Sequence, residues 1–135
     1  MKIDSHVHLA DLSAVSRPDS GRCTDRMNLH VRRMIARTFP ENGSPLGVTD
    51  RSAGYWAACI ANWVRNSSLD HAVVLALDSV YEESGRRSDS NTVLRVGNAF
   101  VYRVVCAHPE LLYGASIHPY RKDALAALEL AAERG

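Results

Sequence analysis

Sixteen basic and fifteen acidic side chains nearly cancel in this chain of 135 residues, and its formal net charge is +1. That balance gives no reason to expect a nucleic acid or a membrane surface as a partner. Hydrophobic residues make up 46% of the chain, which excludes a disordered protein. The length suffices for one domain with its own core.

The first half of the chain predicts one strand followed by two helices. The predicted elements are, in order, a strand over 2–8, a loop over 9–23, a helix from Thr24 or Asp25 to Arg37, a loop over 39–48 and a helix from about Thr49 to Asn66. Apolar side chains recur on one face of both helices, and residues typical of loops lie between them. The segment 9–48 is much longer than the usual connection of about 2–6 residues. We expect it to form a cap over the C-terminal end of the sheet and to help shape a substrate pocket.

The second half predicts two further strands, each followed by a helix. The predicted elements are, in order, a strand over 71–77, a polar loop over 78–90, a helix over 91–107, a strand over 112–117 and a helix from just after Pro119 to Arg134. The run HAVVLAL at 71–77 is almost continuously apolar, which is typical of a parallel strand covered on both faces. For the last helix, the periodicity predicts an inward face made by Ala124, Leu125, Leu128 and Ala132.

The alternation of strands and helices predicts an α/β fold with a right-handed parallel sheet and helices outside it. Three strands do not close a barrel, and a complete (β/α)₈ barrel takes about 250 residues. We therefore expect residues 1–135 to be the N-terminal part of a single barrel domain, about its first three β/α units, in a fragment or a shortened gene product.

The stretch Asp4-Ser5-His6-Val7-His8 is the most informative part of the sequence. Alternation along a strand would point residues 4, 6 and 8 to one face, so that two imidazoles project side by side and can reach one metal ion. The pair also lies at the C-terminal end of the first strand, where barrel active sites are built. Asp4 would lie deeper and orient a ligand histidine by a hydrogen bond. The alternative is an edge strand with two solvated histidines.

Three further side chains follow predicted strands and are candidates for contact with a substrate. His118 comes directly after the third strand, and it could instead shape the turn before Pro119. Asp78 follows the second strand, and a role as cap of the polar loop is slightly favoured for it. Tyr81 lies in the same loop. If the barrel is present, these positions lie at the rim of its active site.

The opening octapeptide KIDSHVHL, residues 2–9, resembles the first strand of the amidohydrolase superfamily. The segment 107–120, with AHPE before a strand and GASIHPY at its end, is similar to a second pattern of the amidohydrolase-related branch. That branch includes metal-dependent hydrolases and aminocarboxymuconate-semialdehyde-type decarboxylases. The resemblance implies a divalent metal, expected to be Zn²⁺, with His6 and His8 among its ligands. It also implies further ligands and an acidic catalytic base from later strands, beyond Gly135.

The resemblance implies a metal-dependent hydrolase in which a metal-activated water attacks an amide, ester or lactone of a small molecule. A decarboxylase of the same branch would use the same first motif, so this alternative remains. A TatD-type metal-dependent deoxyribonuclease also opens with a His-x-His strand, but Ser116 and Tyr120 depart from its later Gly-x-His-Pro-His pattern. The alternative outside enzymology is an inactive fragment, because two histidines are too few for a catalytic zinc site.

The location and partners follow from the composition. No apolar run reaches the roughly 20 residues that span a bilayer, and no signal-peptide core follows Met1. The three cysteines are widely spaced and include no Cys-x-x-Cys pair, so they are expected to be reduced thiols. A cytoplasmic protein is therefore expected, and the resemblance implies that it acts on a small-molecule substrate. An exposed edge of the third strand would favour pairing between copies, so a homo-oligomer stays open.

Overall fold

A computed structural model of the chain describes residues 1–9, 53–92 and 95–135. The helix expected from Thr24 or Asp25 to Arg37 lies outside these residues, as do the loop expected over 39–48 and, apart from Leu9, the cap expected over 9–48. Predictions for these segments stay predictions.

The described residues form three strands and three helices in alternation. In chain order they are β1 Ile3–His8, α1 Ala53–Arg65, β2 His71–Leu75, α2 Asn98–Val105, β3 Leu111–Gly114 and α3 Ala124–Glu133. The strands are parallel and lie side by side in the order β1-β2-β3. The predicted α/β class with a parallel sheet is therefore confirmed for this part of the chain. None of the helices described is long and apolar enough to cross a membrane.

Within the described part of the chain, the buried core lies on one side of the sheet. Ala72 and Val74 of β2 are at most 1% exposed, and they belong to one buried cluster with residues of both α1 and α2. The members of the cluster on those helices are Ala57, Ala61, Val64, Phe100, Val101 and Val105. The alternate residues His71, Val73 and Leu75 are only half-buried. Successive residues of β2 are thus alternately buried and half-buried, whereas the continuous apolar run predicted that both faces of the strand are equally buried.

A bulge interrupts β1 just before the histidine pair. Asp4 pairs with Ala72 and Val7 pairs with Val74, so β1 uses one residue more than β2 over this stretch. The Asp4 carboxylate accepts a hydrogen bond of 3.1 Å from the backbone N–H of His6. Side chains that bond to a nearby backbone group compete with the regular ladder, and an extra residue in one strand resets the alternation beyond it.

The helix expected over 91–107 is shorter in the structure and begins at Asn98. Val96 instead pairs with Leu77 through two backbone hydrogen bonds of 2.7 and 2.8 Å. The Thr92 hydroxyl bonds to the carbonyl of Ser88 and accepts the N–H of Val80. These bonds engage Thr92 and Val96 outside a helix, which agrees with the late start of α2.

The inward face predicted for the last helix is wrong. Leu125 is 77% exposed and Leu128 is 56% exposed, whereas Ala131 is 8% exposed. The helix α3 has the sequence ALAALELAAE, which is apolar nearly all round, so its pattern defines no clear stripe. Arg121, just before the helix, bonds to Asp78, and the guanidinium carbon of Arg134, just after it, lies 4.9 Å from the centre of the Tyr102 ring.

Gly114 ends β3 at a point where a side chain has no room. A Cβ there would lie 2.6 Å from Cδ2 of Leu75, 2.9 Å from Cγ1 of Val73 and 3.2 Å from the carbonyl oxygen of Val74. The two apolar side chains belong to β2, the strand paired with β3. The missing side chain therefore lets the neighbouring strand fill this space.

We predict that Gly114→Ala lowers the free energy of unfolding by about 1–3 kcal/mol, because the added methyl overpacks against β2. Urea unfolding followed by circular dichroism measures the change. Ala115→Ser is the matched control, since Ala115 is the next residue and is exposed. Equal stability of the Gly114→Ala variant and the wild-type chain would contradict the close approach.

Candidate functional site

The candidate residues gather at one edge of the sheet. His8 ends β1, Asp78 comes three residues after β2, and His118 comes four residues after β3. The carboxyl ends of parallel strands share an edge, and that edge is where α/β proteins build their sites. Neighbouring strands lie about 4.8 Å apart, so the ends of β1 and β3 are separated by roughly 10 Å.

His6 and His8 lie in direct contact. Their Nε2 atoms are 3.0 Å apart, and their rings meet edge to face with centroids 4.8 Å apart at 84°. Both residues are exposed. The predicted proximity of the two ring nitrogens is confirmed.

The spacing of this pair fits a divalent metal. A zinc ion binds imidazole nitrogens at about 2.0–2.1 Å, and two such ligands at tetrahedral or right angles stand about 3 Å apart. The same contact also suits two neutral imidazoles joined by one N–H···N hydrogen bond, whose donor depends on the tautomer. Within the described ranges, no group of three or more His, Cys, Asp or Glu side chains is placed to hold a metal.

Asp4 does not share a face with His8. By register Asp4 lies beside Ala72 and His8 beside Leu75, and these two β2 residues point to opposite faces. The expectation that residues 4, 6 and 8 point to one face is therefore wrong, because the bulge adds a residue between Asp4 and Val7. The Asp4 carboxylate bonds to the backbone of His6. A role in orienting a histidine ring stays a prediction.

Asp78 joins the end of β2 to the segment that follows β3. Its side chain is only 6% exposed. Oδ1 accepts the backbone N–H of Ser79 at 2.8 Å, and Oδ2 accepts the backbone N–H of His118 and Nη1 of Arg121, both at 3.0 Å. The bond to Ser79 agrees with the predicted capping of the loop. Substrate contact by Asp78 stays a prediction.

Arg121 binds two carboxylates of very different exposure. Besides buried Asp78, it forms hydrogen bonds of 2.9 and 2.7 Å to Asp123, whose side chain is 63% exposed. These bonds hold the pKa of Asp123 below its usual value. They also raise the pKa of Arg121, with Asp123 as the largest cause and Asp78 as a further one. The guanidinium is therefore charged and shared between the two acids.

The His118 ring contacts two tyrosine rings. Its centroid is 5.5 Å from the ring of Tyr81 and 5.5 Å from that of Tyr120. Nδ1 of His118 accepts the backbone N–H of Tyr120 at 3.2 Å. The guanidinium carbon of Arg121 lies 5.9 Å from the centre of the Tyr81 ring. The structure thus brings His118, Tyr81 and Asp78 together, as expected for neighbouring strand ends.

Sequence reasoning missed the residues that brace this edge. The side-chain amide of Asn98 bonds to both backbone groups of Ser116, at 2.9 and 2.7 Å. The Ser116 hydroxyl accepts the backbone N–H of Asp78 at 3.2 Å. Asn98 starts α2, and Ser116 lies just beyond β3. No local pattern reveals these bonds or that of Arg121 to Asp78, because the partners lie 18 to 43 residues apart.

A cavity of about 330 Å³ lies on the helix side of the sheet. Asp78, Arg121, Tyr113 and Arg134 line it together with small apolar residues of α3. Burial raises the pKa of Tyr113. His6, His8, Tyr81 and His118 are not among the lining residues, so this cavity is separate from the histidine pair.

Comparisons with known proteins found no relative. No family model, no curated protein and no solved structure matches the chain.

We predict that Asp78→Ala lowers the free energy of unfolding by about 2–4 kcal/mol. The substitution leaves the half-buried Arg121 without one carboxylate and frees the N–H of His118. Chemical unfolding measures the loss. The matched control is Asp123→Ala, which removes the exposed acid from the same guanidinium and should have a much smaller effect. Equal losses in the two variants would contradict the central role of Asp78.

Proposed function

We propose that this chain is part of a metal-dependent hydrolase of the amidohydrolase superfamily, with His6 and His8 as its first two metal ligands. The observation that carries the proposal is the distance of 3.0 Å between their Nε2 atoms at the C-terminal end of the first parallel strand. Two neutral imidazoles at this spacing suit zinc. The parallel order β1-β2-β3 supports a (β/α)₈ barrel as the complete fold.

The described residues have distinct tasks in this proposal. His6 and His8 hold the ion, and the carboxylate of Asp4 fixes the backbone of His6 beside the bulge. Asp78 and Arg121 order the adjoining strand ends around His118. When bound, a divalent ion such as zinc lowers the pKa of a coordinated water and polarises a substrate carbonyl.

A complete site of this class needs more than the histidine pair. Catalytic zinc sites use three protein ligands and a water, and general acid–base help contributes about 10²–10⁴ in rate. In the proposal, other strands of the barrel provide the third ligand and an acidic base. The substrate is a small molecule with an amide, ester or lactone, and the enzyme acts in the cytoplasm.

We predict that the 135-residue chain binds one zinc ion weakly through His6 and His8. Complete structural sites provide about 10–16 kcal/mol, and two of four ligands would provide about half of this, which corresponds to a dissociation constant of about 1–200 µM. Calorimetric titration with zinc measures it. His6→Ala and His8→Ala should each weaken binding at least tenfold, since one ligand remains.

The matched control is His108→Ala, which removes a histidine between α2 and β3, at the opposite end of the sheet from the carboxyl ends of the strands. It should bind zinc as the wild-type chain does. Zinc affinity unchanged by His6→Ala and by His8→Ala would contradict the proposed centre. Loss of binding in the control as well would point to unspecific uptake by surface histidines.

A further inference from the structure

The tautomer of His118 is fixed by its neighbour. A backbone N–H can only donate, so Nδ1 of His118 must accept the hydrogen bond of 3.2 Å from Tyr120. In the neutral imidazole the proton then lies on Nε2. His118 therefore carries a hydrogen-bond donor on the ring atom opposite Tyr120.

Both the backbone and the ring of His118 are held in place. The backbone N–H donates to the buried carboxylate of Asp78, which Arg121 also holds. The ring is half-buried and contacts the rings of Tyr81 and Tyr120. Because the ring is already held in place, it loses little conformational entropy when its N–H binds an acceptor.

The donor itself is not used within the described part of the chain. Nε2 of His118 makes no hydrogen bond there, and it is not among the buried polar atoms that lack a partner. Solvent or a bound molecule can therefore reach it. The atom lies at the same sheet edge as His8, with β2 between them.

We infer that Nε2–H of His118 donates a hydrogen bond to an uncharged acceptor oxygen of the substrate, such as an amide carbonyl. This inference rests on the proposed function, because it places the substrate at the edge that carries His6 and His8. Since β2 separates β1 from β3 by roughly 10 Å in total, the oxygen belongs to a group remote from the bond that is cleaved.

The charges around His118 favour an uncharged oxygen over a carboxylate. The guanidinium of Arg121 is already shared by Asp78 and Asp123, so these three side chains together carry one negative charge. A carboxylate of the substrate beside them would be repelled by that net negative charge. A planar amide can in addition stack against Tyr120, which is 47% exposed.

The first test is the tautomer itself in the wild-type chain. Long-range ¹H–¹⁵N correlation spectra of histidine-labelled protein above neutral pH distinguish a protonated from an unprotonated ring nitrogen. The His118 signals are assigned by their loss in His118→Gln. We expect protonated Nε2 and unprotonated Nδ1. A proton on Nδ1, or a rapidly exchanging mixture, overturns the inference.

The second test is binding of benzamide, with benzoate as its charged counterpart, followed through the same signals. We expect benzamide to bind the wild-type chain more tightly than benzoate does. His118→Phe keeps a planar ring beside the tyrosines and removes the donor, so benzamide should bind this variant about three- to tenfold more weakly. Absence of benzamide binding, equal affinity in the variant or a preference for benzoate overturns the inference.

Zinc titration separates this inference from the proposed function. His118→Phe should bind zinc as the wild-type chain does, because His118 is not a ligand in the proposal. Failure of the wild-type chain to bind zinc would contradict the proposed metal centre and also the placement of the substrate oxygen, which depends on it. Zinc binding with a proton on Nδ1 of His118 would leave the metal centre standing and remove the donor.

Discussion

The buried carboxylate of Asp78 holds the strand ends together. An unpaired carboxylate would cost several kcal/mol to remove from water, so its burial requires donors on every side. Ser79, His118 and Arg121 supply them from the end of β2 and from the segment after β3. Two parts of the chain about 40 residues apart are thereby fixed at the same edge, and the position of His118 depends on that connection.

The outline of the fold could be predicted from local patterns. The apolar run from His71 and the alternation of strands with helices predicted a parallel sheet, and the structure has one. The spacing of His6 and His8 predicted that their nitrogens lie together, and they do. Such features depend on residues that are close in sequence, where periodicity carries the information.

The remaining features depend on side chains that bond to the backbone or to distant residues. The bond from His6 to the Asp4 carboxylate accompanies a bulge that a strict period of two cannot reveal. Thr92 delays the start of α2 by binding Ser88 and Val80. For α3, a sequence made almost entirely of Ala and Leu does not indicate which face turns inward.

The Asp78–Arg121 pair also constrains how such a sequence can change over time. Loss of Arg121 alone leaves the buried carboxylate of Asp78 without its cation, and loss of Asp78 alone leaves Arg121 with only the exposed Asp123, whereas replacement of both by apolar residues removes both charges. Substitutions at the two positions are therefore epistatic, and drift through single steps is blocked by an unstable intermediate. Among related sequences, positions 78 and 121 should covary, while position 123, whose acid is exposed to solvent, is free to vary independently.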